Sequence, residues 1–204
     1  MAMKRDGHSP EALDGVLLSH LHGDHFAGLP FFFLTYIFDA PRQRPFTIVG
    51  PTGTEARVVD LYRAMYRDLS SRPTAFELRY IEVTPGVRTA VGPVDVLPFA
   101  VPHSQTEISL GYRLTVDGKT ILYSGDSGWT ESLVTHSRGT DLFICECCFY
   151  ETRVDFHLDY PRIAENRARF GCRRLVLTHV GREVHAHRDE ITEEIGHDGL
   201  VVEL

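Results

Sequence analysis

The stretch Ser19-His20-Leu21-His22-Gly23-Asp24-His25 places four good metal-binding side chains within six positions. It directly follows the apolar run Val16-Leu17-Leu18, which reads as a buried strand. Period-2 geometry then puts His20 and His22 on one face at the strand's end. Gly23 permits a sharp turn that swings Asp24 and His25 back toward the same point. Imidazole and carboxylate donors at this density suit zinc, or failing that iron or manganese. A polar loop merely rich in histidine is the competing explanation, and the strand-turn-helix setting weighs against it.

The pattern His20-x-His22-x-Asp24-His25 resembles the His-x-His-x-Asp-His signature of the metallo-β-lactamase superfamily. That resemblance implies, further along, a lone histidine, a bridging aspartate and a final histidine. The chain offers His103 in Val101-Pro-His-Ser104, Asp126 in Tyr123-Ser-Gly-Asp-Ser127 and His179 in Leu177-Thr-His179, each after an apolar run. The resemblance runs from about residue 13 to the C-terminus and implies an α/β (α+β) four-layer αββα sandwich. It further implies that His20, His22 and His103 hold one divalent metal ion and that Asp24, His25 and His179 hold a second. Asp126 would bridge them. Two such ions, zinc before manganese or iron, sit ~3.5–4 Å apart and lower the pKa of bound water to about 7. They also oppose the anionic oxygens of a phosphorane or a tetrahedral acyl intermediate. Asp24 would in addition orient the hydroxide.

Glu146, in Phe143-Ile-Cys-Glu-Cys-Cys-Phe149, is similar to the glutamate of the His-Glu-x-Thr element in the tRNase Z-like branch. His157, in Asp155-Phe-His-Leu-Asp159, resembles the histidine that follows it. In that branch the carboxylate orients the imidazole, which helps to protonate the leaving oxygen. An alkoxide leaves poorly without such an acid. Here Cys145 stands in place of the usual His, and Cys147-Cys148 in place of the small residue and Thr. Without that role Glu146 would be a strand-end surface carboxylate and His157 a loop histidine.

Composition frames these residues. The 204 residues suit a single domain over 1–204 with a substantial core, and 43% apolar with 24% charged residues is ordinary for a globular protein. A formal charge of -7 argues against a broad nucleic-acid surface. Of eleven histidines, five belong to the ligand set. His185, His187 and His197 read as solvated rather than as a third metal site, since no fixed carboxylate or cysteine partners them. His8 and His136 read likewise as lying in polar surroundings. The four cysteines, Cys145, Cys147, Cys148 and Cys172, form a poor disulfide framework and fit a reducing, cytoplasmic setting. The three on one strand read as buried residues rather than as a metal site. Residues 1–10 are polar, unlike a signal peptide, and the longest apolar run, 29–38, is too short to cross a bilayer.

The elements that must position the site can be placed along the chain. Residues 1–12 read as an extended or disordered lead-in, and Leu13 to Leu18 as the first strand. Members of the family usually carry several strands upstream, so Leu13 to Leu18 is a candidate exposed edge through which a homodimer could form. Asp14 is a candidate partner for a ligating imidazole. Pro30 suits the start of a helix whose Phe31 to Phe38 segment is apolar nearly all round, a core element before a substrate channel. A strand over Phe46 to Val49 precedes a helix to about Leu69, capped by Thr52 or Thr54. Phe76 to Val83 and Val94 to Phe99 read as strands around Pro85-Gly86. Asp117-Gly118 marks a hairpin of Ser109 to Val116 with Thr120 to Ser124. Further strands are read at Leu142 to Ile144, Arg174 to Thr178 and Leu200 to Val202. Helices are read near Ser132, from Pro161 to Phe170 and from Arg188 to Ile195.

These readings converge on a metal-dependent hydrolase with a dinuclear centre, acting on a small or cyclic phosphodiester or a short oligonucleotide. The tRNA-processing members carry a long arm between the lone His and the bridging Asp. Between His103 and Asp126 there is room only for the hairpin, which disfavours a tRNA 3′-processing endonuclease. Hydrolysis of an ester, thioester or lactone by the same centre is the alternative from another reaction class. An inactive, truncated member is the third reading.

Overall fold

The computed structural model describes residues 2–204. The chain's contacts group into two compact units, one ending at Val83 and the other spanning Thr84–Leu204, each with a sheet of its own.

The first unit opens with the short helix α1 (Ala2–Arg5) and a 3-10 turn at Pro10–Ala12. The lead-in is therefore neither extended throughout nor loose. Tyr36 Oη donates to the Pro10 carbonyl at 2.8 Å, and the buried Arg42 guanidinium reaches the Glu11, Arg44 and Pro45 carbonyls at 2.8–3.2 Å. Carbonyl acceptors on all three nitrogens are what make a buried guanidinium tolerable.

Strand β1 (Gly15–Leu17) leads to α2 (Gly23–Phe26) and α3 (Leu29–Leu34), which continues as a π-turn over Thr35–Asp39. Then come β2 (Phe46–Gly50), α4 (Thr54–Met65), α5 (Arg67–Ser70) and β3 (Leu78–Glu82). The three strands are parallel in the order β1-β2-β3. Parallel neighbours need crossover connections, and the helices supply them. Phe46, Ile48, Val58, Phe33, Tyr36 and Phe76 build the core. The helix expected to run to about Leu69 breaks at Tyr66. It starts after Gly53, whose φ of 92° is the left-handed conformation glycine adopts freely. Thr54 does not cap it: its hydroxyl donates to the Pro51 carbonyl at 2.6 Å.

In the second unit, β4 (Thr89–Val91), β5 (Val94–Val101), β6 (Ser109–Val116) and β7 (Lys119–Tyr123) are joined antiparallel. After α6 (Glu131–Ser137), the strands β8 (Leu142–Glu146), β9 (Arg174–Thr178) and β10 (Glu194–Ile195) extend the sheet in parallel, with α7 (Tyr160–Asn166) and α8 (Arg182–Ala186) as crossovers. The hairpin turn at Asp117-Gly118 has φ of 50° and 75°, the paired positive values of a type I′ turn. Leu122, Leu133, Phe143, Ile163, Leu177 and Val184 are fully buried in this unit's core.

Two expectations fail near the C-terminus. Residues 188–195 form a 3-10 turn and the two-residue strand β10 rather than a helix, and residues 200–202 form no strand. Val201 is 72% exposed, so the apolar pair there has no sheet face to fill. The short strand β4 has no apolar run to announce it.

Candidate metal and acid-base site

Strand direction positions the functional side chains. In the second unit β5 and β7 are each antiparallel to β6, and β7, β8 and β9 are parallel, so β5, β7, β8 and β9 all end on the same sheet edge. The residues just past those ends are His103, Asp126 and His179, and Glu146 closes β8 itself. Carboxyl ends of strands are where open α/β sheets place ligands.

Asp126 follows Gly125, whose φ is 61°, and is 3% exposed. His179 adopts φ of 53°, a left-handed conformation that costs a non-glycine residue about 1–3 kcal/mol and is retained where the surroundings over-determine it. Its Nε2 lies 3.4 Å from Asp126 Oδ2. His103, Asp126 and His157 present ligand atoms all within 4.8 Å of one another. The His103 and His157 rings meet edge to face at 4.9 Å, and the His157 and His179 rings stack at 5.5 Å.

Glu146 is not the surface carboxylate its strand-end position allows; it is fully buried. Its Oε1 accepts from the Ser127 backbone N–H at 2.5 Å and lies 2.9 Å from His157 Nδ1. Its Oε2 has no hydrogen-bond partner among the described residues. A carboxylate at Nδ1 fixes the imidazole tautomer and turns Nε2 outward as the working nitrogen. His103 is oriented in a similar way, by the Phe156 carbonyl 2.9 Å from its Nδ1.

In the first unit, His22 sits extended (φ -71°, ψ 147°) at the start of the one-turn α2, which holds Asp24 and His25. Phe26 closes that turn and is buried in the core, which fixes the turn's attitude. The His20 ring lies 4.6 Å from that of His22 and 4.1 Å from that of His25. His25 Nε2 is 3.5 Å from Asp24 Oδ2. Asp14 does not reach an imidazole; it pairs with Arg44, and the Ser19 hydroxyl is the group 3.0 Å from His20 Nδ1.

These donor sets fit divalent cations. Imidazoles and carboxylates are the ligands such ions take, and a carboxylate as buried as Asp126 calls for compensating positive charge. The cysteines fit thiols instead. Burial first, and the nearby Glu146 after it, push Cys147 up to about 12 and Cys148 up to about 11, and raise Cys145 as well. Cys148 is nevertheless within 4.8 Å, ligand atom to ligand atom, of His157 and His179, a grouping the sequence did not suggest.

Elsewhere, His187 stacks on Tyr150 at 4.1 Å and its Nδ1 lies 2.9 Å from the Glu183 carbonyl. His136, expected in polar surroundings, stacks on Phe99 at 4.2 Å. The apolar helix is mainly core: Leu29, Pro30, Phe33 and Tyr36 are buried, with Phe31 and Phe38 exposed.

The sequence matches the β-lactamase superfamily domain over residues 2–180, and the chain belongs to that family. It is similar to the uncharacterised protein Rv1339 of Mycobacterium tuberculosis, with 31% identity over 178 residues, covering 85% of this chain and 64% of that protein. The chain thus spans less than two thirds of that relative's length. It is also similar to a ribonuclease Z of Lachnoclostridium phytofermentans, with 28% identity over 233 residues, covering 88% of this chain and 74% of that one. Human tRNase Z, short form, shares the fold with a TM-score of 0.76 and 22% identity, over 98% of this chain and 83% of that chain. The fold class is therefore the metallo-β-lactamase α/β sandwich, and the likeness is to the tRNase Z-like branch. Among the described residues, no helix is long and apolar enough to cross a membrane.

Proposed function

We propose that this chain is a metal-dependent hydrolase that cleaves small or cyclic phosphodiesters or short oligonucleotides. The family is one of hydrolases. The observation that carries the choice of phosphorus chemistry is the Glu146–His157 contact of 2.9 Å, on the sheet edge that also holds Asp126 and His179. In this reading His20, His22 and His103 serve one cation, Asp24, His25 and His179 serve another, and Asp126 is shared between them. Bound there, the cations would supply acidified water and positive charge against the phosphoryl oxygens.

The chain's own residues do the rest. Asp24 orients the attacking water. Glu146, itself anchored by the Ser127 N–H, stabilises the imidazolium form of His157. His157 then delivers its Nε2 proton to the leaving ester oxygen and recovers a proton from solvent. The buried carboxylate holds the ring in place throughout.

The test is turnover of bis(p-nitrophenyl) phosphate against a thioester and a lactone by metal-loaded protein. Cleavage of the phosphodiester supports the reading, and cleavage of the acyl substrates alone overturns it. A second copy of the chain, pairing along β1, is part of the same proposal, because β1 is an edge of its sheet among the described residues.

A further inference from the structure

The loop between β8 and α7 carries His157, and the residue before it is Phe156, 49% exposed. A single exposed aromatic on a mobile loop would mean little. This one sits on a backbone fastened at several points. Glu183 Oε2 accepts from three successive backbone N–H groups, those of Tyr150, Glu151 and Thr152, at 2.9–3.0 Å, and its Oε1 accepts from the Thr152 hydroxyl. Gly128 packs so closely on the Asp155 carbonyl that a Cβ there would collide with it. The Phe156 carbonyl itself holds the His103 ring, and the buried Asp159 caps α7 by accepting from the Arg162 N–H at 3.0 Å.

The outcome is a large apolar ring kept in water beside the group that protonates the leaving oxygen. The Phe156 and His157 rings are 5.4 Å apart at 62°, and the His103 and His157 rings 4.9 Å apart at 64°. Water contact with that ring is unfavourable until something flat covers it. A substituent attached to the leaving oxygen at His157 is within reach of the ring, while the polar imidazoles leave an aliphatic chain little apolar surface.

We infer that Phe156 is a stacking platform for the aromatic base of the substrate, so that nucleobase-bearing phosphodiesters are the class this site selects. The inference rests on the phosphodiesterase reading and narrows it. Phe156 determines specificity and takes no part in bond breaking. Base–aromatic stacking strengths translate into a change of ~5–150-fold in binding.

The experiment compares adenosine 2′,3′-cyclic phosphate with glycerol cyclic phosphate on the metal-loaded wild type, Phe156→Ala and Phe156→Trp. Phe156→Ala should raise KM for the nucleotide by ~5–150-fold with kcat little changed, and should leave the glycerol ester alone. Phe156→Trp should retain the wild-type KM. An equal effect on both esters, or none, overturns the platform. Equilibrium dialysis of adenosine monophosphate on the same proteins gives a readout independent of turnover. Weaker binding by Phe156→Ala supports the platform, and equal binding by variant and wild type refutes it. Should the wild type turn over neither ester yet bind the nucleotide through Phe156, the failure belongs to the phosphodiesterase reading instead.

Discussion

At the residue scale, the reaction proposed here divides the labour between residues that hold cations and one pair that moves a proton. The two roles respond differently to substitution. His157→Ala removes the acid without touching the proposed ligands, so it should retain its metal while phosphodiester turnover falls by ~10²–10⁴-fold. Metal analysis alongside steady-state kinetics checks this, and loss of metal would make His157 a ligand. The donors were legible in the sequence because residues 20–25 carry type and spacing within one turn of chain. Glu146 at His157 was legible through the resemblance, whereas the groups that hold His20, His103 and Glu146 itself were not. Ser19 at His20 is local, yet Ser127 at Glu146 and the Phe156 carbonyl at His103 are separated by 19 and 53 positions. Backbone groups of that kind leave no mark on side-chain patterning. Asp14 shows the converse: a carboxylate one strand away from a ligand is spoken for by Arg44.

At the element scale, strands were more legible than the short helices and turns that connect them. Strand β9 falls at the expected residues, and the Asp117-Gly118 turn forms as its sequence dictates, because alternation and turn chemistry are local. The segment after His179 is polar and rich in histidine, without helical periodicity, and its short helix α8 was missed. That helix carries Glu183, whose hydrogen bonds to Thr152, Tyr150 and Glu151 hold its carboxyl down to about 2. A carboxyl with a depressed native pKa adds stability that is fully present above its ordinary range near ~4.3. That stability is lost as the pH falls from there through about 2. Acid unfolding followed by circular dichroism should therefore show a component between those values in the wild type that Glu183→Gln lacks. The variant should also lower kcat more than metal content, because the loop it releases carries His157. An unchanged acid transition would show that the Glu183 contacts add nothing to stability.

At the scale of the whole molecule, two units each contribute a donor set, and each organises its set at the ends of its own strands. The use of both sets for one chemistry is what we propose. Chain length and composition carry no information on how contacts partition into the two compact units. Among the described residues the first sheet has three strands and ends at β1, a short edge with Val16 at its centre. Light scattering should report a dimer whose first-unit amides near Val16 are protected from exchange. A monomer at all concentrations would remove that part of the account.

The central claim is that the two donor sets bind divalent cations together. The most direct measurement is metal content per chain by elemental analysis for the wild type, His22→Ala and Asp126→Ala, each verified as folded. The account predicts roughly two ions per wild-type chain and a marked loss in both variants, one from each unit. A wild type that takes up no divalent metal, or variants that bind as much as it does, would contradict it.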